Sequence, residues 1–179
     1  MKRFIALLRG VNMFGKNKVT MAELKQVFEN LAFSDVKTYL NSGNVLFSCN
    51  EDDTLLLTER IETAIKAQFG AAVPVFVIAT ERLEAILKAA PSWWGTGDKA
   101  IYDTLIFIMP PATVSDVLFE FGEPKEGLER VMECGDALFW SYSRTDYQKT
   151  NWWSKTATTP IAPKLTIRTA NTVRKLVEL

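Results

Sequence analysis

The order of apolar and amphipathic segments constrains the fold of this chain more than any single motif does. Strand-like apolar runs and helix-like amphipathic stretches follow one another as β-α-β-β-α-β-α, beginning with the apolar run at residues 4–8. The same order begins again after residues 91–98, a stretch rich in Pro, Gly and Trp. The order β-α-β-β-α-β is typical of a ferredoxin-like antiparallel sheet covered by helices. We therefore predict an α+β protein of two tandem ferredoxin-like (α/β-plait) halves, at residues 1–92 and 93–179.

Capping signals define two helices of the first half. Thr20 and Glu23 have the spacing of a capping box in front of the first helix. Gly70 is placed to end a long amphipathic helix over 53–69, because glycine readily adopts the left-handed conformation found after helices.

The ends of the two halves resemble each other. Thr80 follows a short strand introduced by proline and is predicted to cap a helix over 81–90. Thr169 follows a second such strand, which indicates an internal duplication. Residues 145–156 are aromatic and polar, so the fifth element of the second half has the weakest helix signal.

Composition excludes several chemistries. Lys and Arg total 21, as do Asp and Glu, so no overall field attracts the chain to nucleic acid or membrane. The cationic excess lies in residues 1–50 and 151–179. The chain has no histidine, which excludes Ser-His-Asp and Cys-His catalysis and imidazole metal sites. Cys49 and Cys134 lack CxxC spacing, so we expect no disulfide framework, no metal and no cofactor.

The amino-terminal segment MKRFIALLRG has a basic start but an apolar run too short for a signal peptide or a membrane span. No other apolar run in the sequence approaches the length of a span. We therefore expect a soluble, cytoplasmic protein without a membrane partner.

Residues 10–17 spell G-x-x-x-x-G-K-N, close to a phosphate-binding P-loop. A P-loop needs a parallel sheet, a Ser or Thr after the lysine, and a helix that begins there. Here Asn17 occupies the hydroxyl position and the predicted helix waits until Thr20. The motif is therefore interpreted as an anion-compatible loop rather than a nucleotide-hydrolysing one.

Ferredoxin-like topology predicts a neighbour for this loop. The first two strands run in the same direction with the third between them, so the loop at residues 9–18 and the turn at residues 41–44 should meet at one end of the sheet. Cations, amides and glycine backbone groups close together favour anion binding. The candidate ligand-binding residues are Arg9, Gly10, Asn12, Lys16, Asn17, Lys18, Ser42 and Asn44. The alternative is that these side chains only hold the two turns together.

A second candidate set lies at the start of the last predicted helix. Arg168 and Asn171 stand where unpaired backbone N–H groups are expected. Capping alone explains Asn171, whereas it does not explain Arg168. Whether this set joins the first loop in one site is left open by the sequence.

Three blocks of sequence resemble the bacterial domain of unknown function 1697 family: ALLRGVNMFGKNKVTMAEL, VKTYLNSGNVLF and RTANTVRKLVEL. The resemblance extends over essentially the whole chain. It implies two α/β-plait halves in a cytoplasmic protein, and it implies no established activity.

Three functions remain as hypotheses. The first is binding of an anion, with a phosphate-bearing small molecule as the favoured partner and nucleic acid as a weaker one. The second is a metal-free phosphate-ester or acyl-phosphate hydrolase, by analogy with other ferredoxin-like hydrolases that use an arginine and an asparagine. The third is a protein-interaction or scaffold module that self-associates through the tryptophan pairs at 93–94 and 152–153 or through the sheet face. One member of each tryptophan pair is predicted to be core. No catalytic residue is assigned, and the sequence does not determine the oligomeric state or whether the protein is an enzyme.

Overall fold

The computed structural model describes residues 1–12 and 18–179. The chain divides into two compact units, residues 1–84 with 176–179 and residues 85–175. The elements of the first half are β1 (Lys2–Leu8), α1 (Met21–Asn30), β2 (Ser34–Tyr39), β3 (Asn44–Cys49), α2 (Thr54–Phe69), β4 (Val75–Ala79) and α3 (Thr80–Lys88). Those of the second half are β5 (Ile101–Ile108), α4 (Val114–Phe121), β6 (Glu129–Cys134), β7 (Ala137–Ser143), α5 (Lys155–Thr158), β8 (Leu165–Thr169) and α6 (Ala170–Glu178).

Each half contains an antiparallel sheet. In the described part of the chain the strand orders are β2-β3-β1-β4 and β6-β7-β5-β8, with four strands in each sheet. The first strand of each half is therefore central and pairs on both edges, with the third and fourth strands. This is the ferredoxin-like arrangement in both halves, so the predicted α+β fold class is confirmed.

The duplication is visible in the register of the strands. Phe4 of β1 lies opposite Ala79, and Thr104 of β5 lies opposite Thr169, so Ala79 and Thr169 occupy equivalent positions. β4 and β8 each have five residues, and the helices that follow them, α3 and α6, each have nine. Thr169 therefore corresponds to Ala79 rather than to Thr80, one residue away from the match that the sequence indicated.

That shift explains why one predicted cap is wrong. α3 begins at Thr80 itself, and the buried Thr80 hydroxyl has no hydrogen-bond partner among the described residues. Thr169 instead ends β8, and its Oγ1 lies 3.4 Å from the backbone nitrogen of Thr172 in the first turn of α6. Thr169, and not Asn171, holds the capping position of the last helix.

The other predicted caps are confirmed. The Thr20 hydroxyl accepts a 3.2 Å bond from the backbone N–H of Glu23 and lies 2.5 Å from the Glu23 carboxylate. Gly70 follows α2 with a φ of 69°, as predicted. Asp53, predicted to be the first residue of that helix, is its N-cap instead.

The fifth element of the second half differs from its counterpart in the first half. The predicted helix over 145–156 is wrong: this region contains a 3-10 turn (Tyr147–Lys149) and then the four-residue α5. Trp152 of this region is fully buried, donates from Nε1 to the Gly122 carbonyl at 2.8 Å and packs edge-on against Phe121. Trp152 thus anchors this region to the core of the second half, whereas the first half has the helix α2 as its fifth element.

One tryptophan of each pair is core, as the sequence predicts. Trp94 is buried, donates to the carbonyl of Thr104 at 2.7 Å and packs edge-on against Phe139. Trp152 is buried in a hydrophobic core cluster of the second half, whereas Trp153 is 38% exposed.

Glu129 is a buried carboxylate that joins three segments of the second half. Its Oε1 accepts from the backbone N–H groups of Lys125 at 2.9 Å and Asn151 at 2.6 Å. Its Oε2 accepts from the indole Nε1 of Trp140 at 3.0 Å. Because all three partners are donors, the site needs two acceptor oxygens and has no place for an amide N–H.

We expect Glu129→Gln to lower the free energy of unfolding by about 3 kcal/mol. The glutamine NH₂ group would point at a buried N–H donor, and that donor would lose its acceptor. Urea unfolding followed by tryptophan fluorescence measures the change. Glu126→Gln, at an exposed position three residues away, is the matched control and should change stability by less than about 0.5 kcal/mol. Equal effects of the two variants would contradict the assigned role of Glu129.

Candidate functional site

The end of β1 is held on both edges. The backbone N–H of Leu8 donates to the carbonyl of Gly43 at 2.8 Å, and the N–H of Arg9 donates to the carbonyl of Pro74 at 2.9 Å. These bonds extend the ladders with β3 and β4 by one residue each. The loop that follows therefore leaves the sheet from a fixed point.

Asn12 closes the base of this loop. Its Nδ2 donates to the carbonyl of Val19 at 2.8 Å, and its Oδ1 accepts from the N–H of Val19 at 2.9 Å. The same Nδ2 donates to the carbonyl of Asn41 at 2.9 Å. Asn12 has a φ of 54°, a conformation that asparagine tolerates better than most residues. One amide thus closes the loop and ties it to the turn of the β2–β3 hairpin.

The turn is held by a second amide. Asn44 is fully buried, and its Nδ2 donates to the carbonyl of Tyr39 at 2.8 Å and to the Ser42 hydroxyl at 3.0 Å. Gly43 packs tightly against the loop: a Cβ at this position would lie 2.7 Å from Leu8 Cβ and 2.7 Å from Val11 Cγ2. The loop and the turn are therefore in direct contact. We call the described residues at this end of the first sheet, 9–12, 18 and 41–44, the polar rim.

The candidate residues of the polar rim differ in the contacts that they make. Asn12 and Asn44 use their amide donors within the protein, so they position the rim. Arg9 is half-buried, and Lys18 and Ser42 are exposed at the rim. Lys16 and Asn17 lie outside the described residues.

The second half lacks an equivalent of this loop. The N–H of Met109 donates to the carbonyl of Lys164 at 2.7 Å, which is the counterpart of the bond from Arg9 to Pro74. From there, five residues (109–113) reach α4, whereas twelve residues (9–20) separate β1 from α1. The short segment is Met-Pro-Pro-Ala-Thr, without a charged residue. Closing this fold requires neither the length nor the polarity of the first loop.

Arg168 and Asn171 belong to the second half. Arg168 lies within β8 opposite Leu105, and not at the start of α6 as the sequence suggested. Its guanidinium donates at 3.0 Å to the Thr166 hydroxyl and at 3.0 Å to the carbonyl of Ile167, and burial lowers its pKa to about 10. Ile78 occupies the equivalent place in the first half, so this sheet position does not require a cation. Asn171 is exposed on the first turn of α6.

The described residues were also compared with what a metal site and a membrane span require. Within residues 1–12 and 18–179, no group of three or more His, Cys, Asp or Glu side chains could hold a metal ion. No helix in that part of the chain is long and apolar enough to cross a bilayer.

We expect Asn12→Asp to lower the free energy of unfolding by about 2 kcal/mol. The aspartate carboxylate can still accept from the N–H of Val19. Its second oxygen cannot donate, so the carbonyls of Val19 and Asn41 lose their hydrogen bonds and face a negative charge. Chemical denaturation measures the loss. Asn30→Asp makes the same charge change at an exposed acceptor on α1, and it should cost less than about 0.5 kcal/mol. An Asn12→Asp protein as stable as the control would show that the loop base does not depend on this amide.

Gly43→Ala and Gly70→Ala separate backbone strain from steric contact. Both glycines are left-handed, with φ of 77° and 69°, but a Cβ at Gly70 meets nothing within 4 Å. We expect Gly70→Ala to cost about 1 kcal/mol, and Gly43→Ala to cost at least about 2 kcal/mol more. The difference between their thermal or urea midpoints tests how tightly the turn and loop pack, and equal costs would contradict that packing.

Comparison with known proteins places the chain in a family. The family model described as "Protein of unknown function (DUF1697)" matches residues 1–139. A conserved bacterial protein from Streptococcus pneumoniae of known structure is 30% identical, with a TM-score of 0.86 over 99% of this chain and 97% of that one. An unknown protein from Galdieria sulphuraria is 14% identical over 94% of this chain and 96% of that one, and its TM-score of 0.27 is too low to indicate a shared fold. A search of functionally curated proteins finds no match. The chain belongs to the DUF1697 family of proteins of unknown function.

Proposed function

We propose that this protein binds a phosphate-bearing small molecule or a nucleic-acid backbone at the polar rim. The observation that carries the proposal is the contrast between the halves. The fold closes the second half with five uncharged residues at a place where the first half has twelve, including cations and amides. A long polar loop that the fold does not need is more directly explained by ligand recognition than by stability.

The hydrogen bonding of Asn12 supports the proposal further. The contacts from Asn12 to Val19 and Asn41 hold the loop base and the turn together without a ligand. A binding surface that is already held in place loses less conformational entropy when the ligand arrives. Asn12 and Asn44 are therefore assigned to positioning.

The contacts to the ligand are assigned to a smaller set. Arg9 and Lys18 supply positive charge, Ser42 a hydroxyl, and Gly10, with a φ of 72°, close approach to the backbone. Lys16 and Asn17 extend the set by sequence alone. Because Lys18 is exposed, we expect the affinity for anions to fall as salt is added.

The hydrogen bonds that the Asn12 and Asn44 side chains make within the protein favour binding over hydrolysis. A metal-free hydrolase of this type would need an amide such as Asn12 or Asn44 to orient water. Both side chains already donate to protein oxygens at 2.8–3.0 Å. Neither of these two amides is therefore available to orient water, which favours binding over hydrolysis.

The double variant Arg9→Ala/Lys18→Ala tests the proposal. We expect it to bind inorganic pyrophosphate at least about tenfold more weakly than the wild type, because two charge-assisted contacts are lost. Isothermal titration calorimetry at low salt measures the affinity, and a second titration at higher salt measures the electrostatic share.

The matched control is Lys2→Ala/Arg3→Ala. It also removes one exposed lysine and one half-buried arginine, at the start of β1 and so at the opposite end of the strand from the rim. Its affinity for pyrophosphate should stay within about twofold of the wild type. Absence of pyrophosphate binding by the wild type, or equal losses in the two double variants, would overturn the proposal.

A further inference from the structure

Leu40 has an unusual backbone conformation for its residue type. It has a φ of 57°, in the left-handed region, and its side chain is 52% exposed. The left-handed conformation costs an L-residue with a Cβ free energy that glycine avoids and asparagine partly avoids. An exposed leucine at such a position contributes neither a favourable backbone nor a buried side chain.

The turn explains the conformation but not the residue. Residues 40–43 connect β2 to β3, and the Asn44 amide bonded to the carbonyl of Tyr39 holds the two ends of the connection. The next residue, Asn41, is fixed through its carbonyl by Asn12. Asparagine or glycine would accept the same conformation more readily than leucine does. The choice of leucine therefore requires a reason other than the shape of the turn.

Other exposed leucines differ from Leu40 in this respect. Leu55 is 60% exposed, but it lies in the first turn of α2, where leucine is a favourable residue. An exposed leucine in a helix needs no special explanation. Leu40 combines exposure with an unfavourable backbone and immediately precedes the turn of the polar rim.

We propose that Leu40 is the apolar contact of the polar rim, and that the ligand is a phosphate ester with an apolar or planar organic group. The inference rests on the proposed function. Arg9 and Lys18 meet the phosphate, while the organic group covers part of the Leu40 side chain. Ligand sites commonly combine a few charged or polar groups with an apolar wall. The wall adds affinity for such an ester, whereas inorganic phosphate and polyphosphate gain nothing from it.

Two probes that share a phosphate test this specificity. Phenyl phosphate carries a planar apolar group, and inorganic phosphate does not. We expect the wild type to bind phenyl phosphate about three- to tenfold more tightly than inorganic phosphate, from the apolar surface covered. Leu40→Asn should remove this preference, leave the affinity for inorganic phosphate within about twofold, and leave the thermal midpoint unchanged or higher.

The matched control is Leu55→Asn, an equal change at a comparably exposed leucine of the same half. It should keep the full preference for phenyl phosphate. A Leu40→Asn protein that retains the preference, or a wild type that binds both probes equally, overturns this inference and leaves the proposed anion site intact. A wild type that binds pyrophosphate but neither of these probes overturns this inference alone, and one that binds none of the three overturns the proposed function as well.

Discussion

The backbone hydrogen bonds on both edges of each central strand set the register of the sheet in its half. β1 is paired on both edges, with β3 and β4, and β5 is paired in the same way with β7 and β8. Because the central strand is in register on two sides, a shift of one position would turn all its side chains to the opposite face. The hydrogen bonds of Leu8 and Arg9 carry that register past the end of β1. The polar loop therefore begins at a position determined by the sheet.

The duplication provides an internal comparison that separates fold from function. What both halves share is needed for the fold: the strand order, the lengths of the last strand and helix, and the bond that follows the central strand. A feature that only one half possesses is not required by the fold itself. Some of these differences are structural solutions, such as the Trp152 anchor where the first half has the helix α2. The segment between β1 and α1, residues 9–20, is longer than its counterpart in the second half, and its sequence includes cations and amides.

Much of the fold could be predicted because its signals are local. The element order follows from periodicity, and the predicted caps Thr20 and Gly70 each bond to a group within about one turn of their own position. The mistakes concern relations between distant residues. The sequence places both Thr80 and Thr169 after a proline-led strand, whereas strand pairing shows that Thr169 is the last residue of its strand and that the two threonines differ by one position. The three donors that meet Glu129 come from segments up to 22 residues away, and nothing in the sequence singles out this glutamate.

The polar rim shows the same division. Its location could be predicted from topology, because the ends of neighbouring strands determine which loops meet. The roles of its residues could not be predicted from residue type. Only the structure shows that both donor hydrogens of the Asn12 amide are used within the protein. Leu40 carried no signal in sequence, because its unusual feature is a backbone angle.

Separating positioning residues from contact residues has a consequence for how such a site can change. The amides of Asn12 and Asn44 hold the rim through bonds to backbone carbonyls, and these bonds do not depend on which side chains Arg9, Lys18 or Leu40 present. Substitutions at the contact residues can then alter the ligand while the rim keeps its shape. Substitutions at the amides alter the shape first and binding only as a result. A net-neutral protein can bind anions under this arrangement, because the field that a ligand meets is set by the nearest cations and falls off within about 10 Å at moderate salt. In the proposed site, different residues would thus control the rigidity of the rim and the choice of ligand, although both sets lie within the same few positions of the chain.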